Sequence, residues 1–223
     1  QSAQALSKQL LFAFGLSVSA GVLVNASYTQ PSYMAALGLV MSFWIIVTTI
    51  MEIRQRIAPQ LSTGKSTVVR SLKTLTPSHW GMVAGHVGFA VTLIGIALVS
   101  AYNVERNVRM AVGDGVSLQG YEFVFKNVSQ YKGANYSADV GHIDVFQDGN
   151  KVASLAAEKR FYPVQRNVMT EAGIDSGFSR DLFVALGEQL KDGDWSLRIY
   201  VKPFINWIWL GAFIMAFGGV LSI

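Results

Sequence analysis

The chain has 223 residues, 51% of them hydrophobic and only 14% charged, with a formal net charge of +4 and a mean hydropathy of +0.35. That balance marks an integral membrane protein and argues against nucleic acid as a partner, because the basic excess comes from one stretch between apolar segments. The absence of cysteine excludes disulfides, thiolate-held zinc, iron–sulfur clusters and a CxxCH haem-attachment site within the chain.

Taken in order, Gln9–Tyr28 predicts a first membrane helix, its hydrophobicity diluted by Gly15, Ser17, Ser19 and Gly21. It has no basic n-region, so it does not read as a signal peptide. A polar turn over Asn25–Ser32, closed by Pro31, returns the chain into a second span at residues 34–53, antiparallel to the first. Residues 54–78 then carry Arg54, Arg56, Lys65, Arg70 and Lys73, with Glu52 as the single neighbouring acid. Such a basic connection predicts a flexible loop on the cytoplasmic side. Its GKST (Gly64–Thr67) looks like the end of a Walker A motif, but Pro59 stands where the first glycine is needed and no buried strand precedes it.

The third span, residues 80–100 (WGMVAGHVGFAVTLIGIALVS), contains no Asp, Glu, Lys or Arg and one titratable group, His86. An ionisable side chain at membrane depth is costly and is read as functional by default. Gly81, Gly85, Gly88, Thr92 and Gly95 recur on one helical face, where small residues let helices approach closely. The same missing side chains would admit a flat macrocycle beside Gly85. His79 lies two turns before His86, about 10 Å away along the axis. The two imidazoles therefore cannot share one metal ion, and any iron on His86 needs its second ligand from another helix. Thr76-Pro77-Ser78 reads as a helix start, with His79 capping the span at the cytoplasmic interface.

Residues 102–202 change character: 13 of the 14 acidic residues fall there beside 12 Lys and Arg. Period-two alternation over 121–128, 139–146 and 197–203, with Asp148-Gly149-Asn150 as hairpin-turn chemistry, predicts a soluble β domain, a barrel or a sandwich. One helix is expected over 181–190. His142, on an alternating strand with no ligand cluster, reads as a solvated surface residue. Arg160, Arg166 and Arg180 are candidates for propionate or acidic-partner contacts, although Arg–Asp neighbours such as Arg180-Asp181 are more often structural. Residues 203–223 predict a fourth span with Trp207 and Trp209 as an interfacial belt. The fold class expected is thus four transmembrane helices with an inserted all-β domain, and both ends read as cut from a longer membrane protein.

Three blocks carry a resemblance: HWGMVAGHVGFAVTLIGIAL, YPVQRNVMTEAGIDSGFSRDLFVALGE and LRIYVKPFINWIWLGA. Together they resemble the C-terminal third of the CcmF family, the haem lyases of system I cytochrome c maturation. The resemblance implies a multi-pass bacterial inner-membrane protein with its β domain in the periplasm. It implies a transmembrane b-type haem, for which the family's GMxxxH segment places an axial ligand at His86, and a transient substrate haem. The partner histidine, the tryptophan-rich segment and the periplasmic histidines of the family lie upstream of this chain, and Trp207 and Trp209 are not that segment. The implied partners are a membrane-anchored haem chaperone of the CcmE type, CcmH- and CcmI-type components and apocytochrome c, whose CxxCH thiols receive the haem. His79, through a propionate, and Gly85 are secondary candidates. The rival reading is a transporter half or scaffold without haem, with His86 packing or relaying protons. It is weakened by the lack of repeats and of proline inside the four expected spans.

Overall fold

The computed structural model describes residues 3–62 and 67–223, which fall into two units, one helical (Gln1–Ala101 with Phe204–Ile223) and one of strands (Tyr102–Pro203). The helical unit contains α1 (Ala3–Ala26), α2 (Tyr33–Ser62), the short α3 (Val68–Leu72), α4 (Pro77–Tyr102) and α5 (Asn206–Leu221). Three of these, α1, α2 and α4, are long and apolar enough to cross a membrane. The stretch expected as a fourth span holds a shorter apolar helix, α5, of 16 residues. At 1.5 Å per residue it is about 24 Å long, against roughly 30 Å of hydrocarbon.

The turns between helices are fixed by polar side chains where the backbone runs out of partners. Asn25 is buried and its side-chain oxygen accepts the amide of Ser32 at 3.2 Å, tying the α1–α2 connection across its width. Ser32 in turn accepts the amide of Ala35 and begins α2. That helix does not stop near Ile53 as expected. It continues to Ser62, through Pro59, so the first part of the predicted flexible loop is helical. The cause is local: residues 54–58 are mostly good helix formers, and Glu52 pairs with Arg56 one turn on. Of the GKST segment, Gly64, Lys65 and Ser66 lie outside the described residues, while Thr67 is the N-cap of α3, accepting the amide of Arg70 at 3.4 Å.

Glycines set how α4 meets α5. A Cβ added at Gly81 would lie 2.5 Å from the Gly218 carbonyl, one at Gly88 2.6 Å from the Gly211 carbonyl, and one at Gly95 2.9 Å from the Ile208 amide. The partners run backwards along α5, so the two helices are antiparallel with their backbones nearly touching. Small residues allow this in lipid, where dispersion between close backbones replaces the hydrophobic effect. Gly85 behaves differently: a Cβ there would meet nothing within 4 Å.

The second unit is a sandwich. One antiparallel sheet has the order β1-β9-β8-β7, from β1 (Val104–Met110), β9 (Trp195–Pro203), β8 (Arg180–Gln189) and β7 (Gly173–Ser176). The other runs β2-β3-β4-β5-β6, from β2 (Gly115–Leu118), β3 (Tyr121–Lys132), β4 (Ser137–Gln147), β5 (Asn150–Tyr162) and β6 (Asn167–Glu171). Phe123, Phe125, Ile143, Val145 and Leu155 from the second sheet meet Leu182, Val184, Leu186, Leu197 and Ile199 from the first, all nearly inaccessible to solvent. The expected turn joins β4 to β5: Asp148 and Gly149 sit at φ of 50° and 78°, the left-handed pair that suits a two-residue hairpin.

The helix expected over 181–190 is strand β8 instead. It lies between β7 and β9 with apolar residues on both faces: Leu182, Val184 and Leu186 enter the core, while Phe183 packs edge-on against Tyr200 with ring centroids 5.1 Å apart. With Phe183 and Ala185 apolar on the half-buried outer face as well, the sequence loses the alternation that would have betrayed the strand.

Candidate functional site

His86 occupies the third turn of α4, and its side chain is exposed rather than packed. It lines a groove of about 290 Å³ between α2 and α4, together with Trp44, Ile45, Thr48, Glu52 and Met82. The hydroxyls of Thr48 and Thr49 are spent on their own helix, donating to the carbonyls of Trp44 and Ile45 at 2.7 Å. This wall of the groove is therefore largely apolar, with one imidazole and one carboxylate as its titratable groups. No side-chain hydrogen bond holds the His86 ring among the described residues, which leaves both ring nitrogens available. Gly85, beside it, adds open space instead of bulk.

His79 is placed otherwise. It does not cap α4; the hydroxyl of Thr76 does, accepting the His79 amide at 3.3 Å, and Pro77 follows at the first helical position, where its missing N–H costs nothing. The imidazole of His79 turns inward, 4% exposed, with Nε2 3.3 Å from Glu52 Oε2. The two atoms are close but misaligned for a hydrogen bond, and neither has another partner in hydrogen-bond geometry. Glu52 also accepts from Arg56 through its other oxygen. The Arg56–Glu52–His79 array, which joins α2 to α4 at the basic end, is thus a feature the sequence reading missed. Its only signal is that Glu52 is the lone acid outside the strand unit.

The remaining candidates separate cleanly. Arg160 stacks over Tyr136 at 4.8 Å and pairs with Glu158 at 2.7 Å and Glu171 at 3.4 Å. Its hydrogen bond to Glu158 holds the guanidinium firmly charged. Arg180 bridges the two sheets, binding Asp175 and reaching the Tyr121 hydroxyl at 3.3 Å. Burial opposes its charge, but the bonds to Asp175 and Tyr121 prevail and raise its pKa. Both arginines are committed to the sandwich itself. Arg166 alone of the three is exposed and unpaired among the described residues, in the β5–β6 turn at a φ of 51°. His142 bonds to Ser129 across the strand pair at 2.9 Å. Among the described residues no three His, Asp or Glu side chains converge as a metal site.

Apolar helices of spanning length and a separate β-sandwich, with a histidine facing a groove between two of the helices, define a membrane protein that carries an extramembrane domain. Residues 101–203 match the family described as the CcmF C-terminal beta-sandwich. The chain is 46% identical over 190 residues to the cytochrome c-type biogenesis protein CcmF of Escherichia coli (strain K12), covering 85% of this chain and 28% of that protein. It is 39% identical over 206 residues to CcmF of Pseudomonas fluorescens, covering 92% of this chain and 30% of that protein. A solved structure titled Cytochrome c Heme Lyase CcmF superposes with a TM-score of 0.76 over 96% of this chain and 34% of its own, at 15% identity, which speaks for the fold. In sequence and fold, the chain matches the C-terminal portion of the CcmF family, and it spans about 30% of the length of these curated relatives.

Proposed function

We propose that the chain is the C-terminal part of a haem lyase that attaches haem to c-type cytochromes, with His86 as an axial ligand of a b-type haem inside the bilayer. The observation that carries this is the His86 ring itself: at membrane depth, exposed, without a hydrogen-bond partner among the described residues, and facing an apolar groove. Such a nitrogen is expensive in hydrocarbon unless it has something to bind, and neutral imidazole is a good ligand for haem iron. The residues present fit half of such a site. They supply one ligand and one wall, and Gly85 leaves room for a flat ring. His79 is turned away towards Glu52, so the second imidazole comes from residues beyond this chain.

When bound, a bis-imidazole haem supplies one-electron transfer, which the family reading assigns to keeping the substrate haem ferrous. The lyase reaction adds each thiol S–H of the CxxCH motif across a vinyl group of the substrate haem and consumes no electron in forming the bond. In this reading α5 is the fourth span, short but held at the depth of α4 by the paired glycines. The basic end is cytoplasmic by the positive-inside rule. The sandwich is periplasmic, in the inner membrane of a bacterium, where it helps to dock a CcmE-type haem chaperone and the CcmH- and CcmI-type components that present apocytochrome c.

The test is the visible spectrum of the purified full-length protein. Low-spin bis-histidine bands in the wild type that vanish in His86→Ala, with the far-ultraviolet circular dichroism unchanged, are the expected result. Bands that survive the substitution remove His86 from the site, and a colourless, assembled wild type leaves the scaffold reading.

A further inference from the structure

A second groove, of about 460 Å³, opens between α1 and α2 at the basic end of the helical unit, lined by Lys8, Gln9, Phe12, Met51, Arg54 and Gln55. We propose that it binds the phosphate headgroup of an anionic phospholipid in the leaflet at that end.

The residues divide by depth. Gln55 donates to Gln9 at 3.1 Å, joining the two helices where each passes from polar to apolar sequence. Lys8 and Arg54 are each the immediate neighbour of one of these glutamines, Lys8 one residue to the polar side of Gln9 and Arg54 one residue inward of Gln55, so both cations stand within about 1.5 Å of the level of the pair along their helices. Phe12 and Met51 lie about one turn deeper on α1 and α2, on the apolar side. Two cations at the level of the glutamine pair and two apolar side chains about one turn below it reproduce, in complement, a phosphate above the start of an acyl chain. The volume is within the range of small-molecule sites.

The cations are also free to act. Arg56 is paired with Glu52, and the arginines of the sandwich that face acids are paired likewise. Lys8 and Arg54, both exposed, have no ion pair among the described residues. No acid lines the groove, so nothing there would repel an anion. An arginine presents a planar fork suited to phosphate oxygens, and a lysine adds a point charge on a long stem that reaches the headgroup level. Basic pockets between helices at the membrane surface bind acidic headgroups through these same terms. The site stands apart from the His86 groove, which lies between α2 and α4.

The experiment is a titration of the full-length protein in neutral detergent with phosphatidylglycerol, phosphatidylcholine or inorganic phosphate, followed by native mass spectrometry. Phosphatidylglycerol is expected to be retained and phosphatidylcholine not. The double variant Lys8→Gln/Arg54→Gln is expected to bind phosphatidylglycerol roughly thirtyfold more weakly, from two surface charges at about 1 kcal/mol each. The control Lys132→Gln/Arg166→Gln loses the same charge from the sandwich and is expected to bind as wild type. Equal binding by the groove variant, or equal retention of phosphatidylcholine, overturns the proposal. Inorganic phosphate that binds as tightly as the lipid shows a free-anion site and overturns the lipid assignment. The haem bands of the groove variant are expected to be unchanged, so this result is read independently of the one at His86.

Discussion

The two units of this chain hold themselves together by opposite means. In the sandwich, large side chains such as Phe123, Phe125, Leu182 and Ile199 are entirely hidden. In the helical unit many of the large apolar residues are outside: Leu11 and Phe12 are each 69% exposed and Phe213 73%. Beside a few large residues such as Leu39 and Leu98, much of what that unit buries is small or polar, including Ala13, Ser17, Ala35 and Ser42 with the glycines between α4 and α5. Water drives the first arrangement, because removing apolar area from it stabilises at roughly 25 cal/mol per Å². The second gains nothing from hiding leucines in an apolar solvent, so it gains from bringing backbones close. One chain thus shows that burial follows the solvent more than the residue type.

The strongest way to break this comparison is to empty the sandwich core. Phe123→Ala removes a fully buried ring facing the other sheet, and cavity formation of this kind costs about 3–5 kcal/mol. Thermal unfolding of the full-length protein is expected to show the sandwich transition lowered while the haem bands of the proposed His86 site, which would report the helical unit, keep their midpoint. A common drop in both would mean that the two units unfold as one and do not differ in the way described.

Gly88→Ala paired with Gly85→Ala sharpens the comparison from the helical side. The substitutions are chemically identical and three residues apart. At Gly88 the new methyl must push against the Gly211 carbonyl, and overpacking of this type costs about 1–3 kcal/mol. At Gly85 it meets open space, so stability is expected to hold. If a macrocycle lies flat beside His86, Gly85→Ala is expected to weaken haem retention without lowering the unfolding midpoint of the apoprotein. Equal destabilisation by both substitutions would contradict the idea that α4 packs through one specific glycine row.

What the sequence made legible follows the same division. Spans and strands were readable wherever one solvent acts on one face: the apolar run of residues 80–100, the alternation of 121–128 and the Asp148-Gly149 turn each state their own structure. Strand β8 was not readable, because Leu182 in the core and half-buried Phe183 on the opposite face are both apolar. The glycine row was visible as a period, but its division into three packed positions and one open one at Gly85 depends on where α5 lies. The Glu52–His79 contact was illegible for a plainer reason: the residues are far apart in the chain and meet only through the packing of α2 against α4. Lys8 and Arg54 face the same limit, as each is an ordinary surface charge until the other stands across the groove.

The smallest expected effect concerns the charge on the outside of the sandwich. Asp144 on β4 accepts from Lys151 Nζ at 2.7 Å and from Ser154 at 2.9 Å. The Lys151 hydrogen bond is the main cause that holds its carboxyl below the usual range; partial burial opposes it and Ser154 assists. A carboxylate whose pKa is depressed on folding stabilises the folded state above the unfolded value of about 3.9, and that stability is lost as pH falls through the folded value. The pair is half open to solvent on the lysine side, so its worth is under about 1 kcal/mol. Asp144→Asn is therefore expected to lower the sandwich midpoint slightly at neutral pH and to flatten its decline below pH of about 4, where wild type and variant converge. A variant that loses as much stability as Phe123→Ala would place the sandwich's stability in its surface charges, against the core-based account. Convergence at low pH, with the helical transition unmoved throughout, would confine this small electrostatic term to the unit that water surrounds.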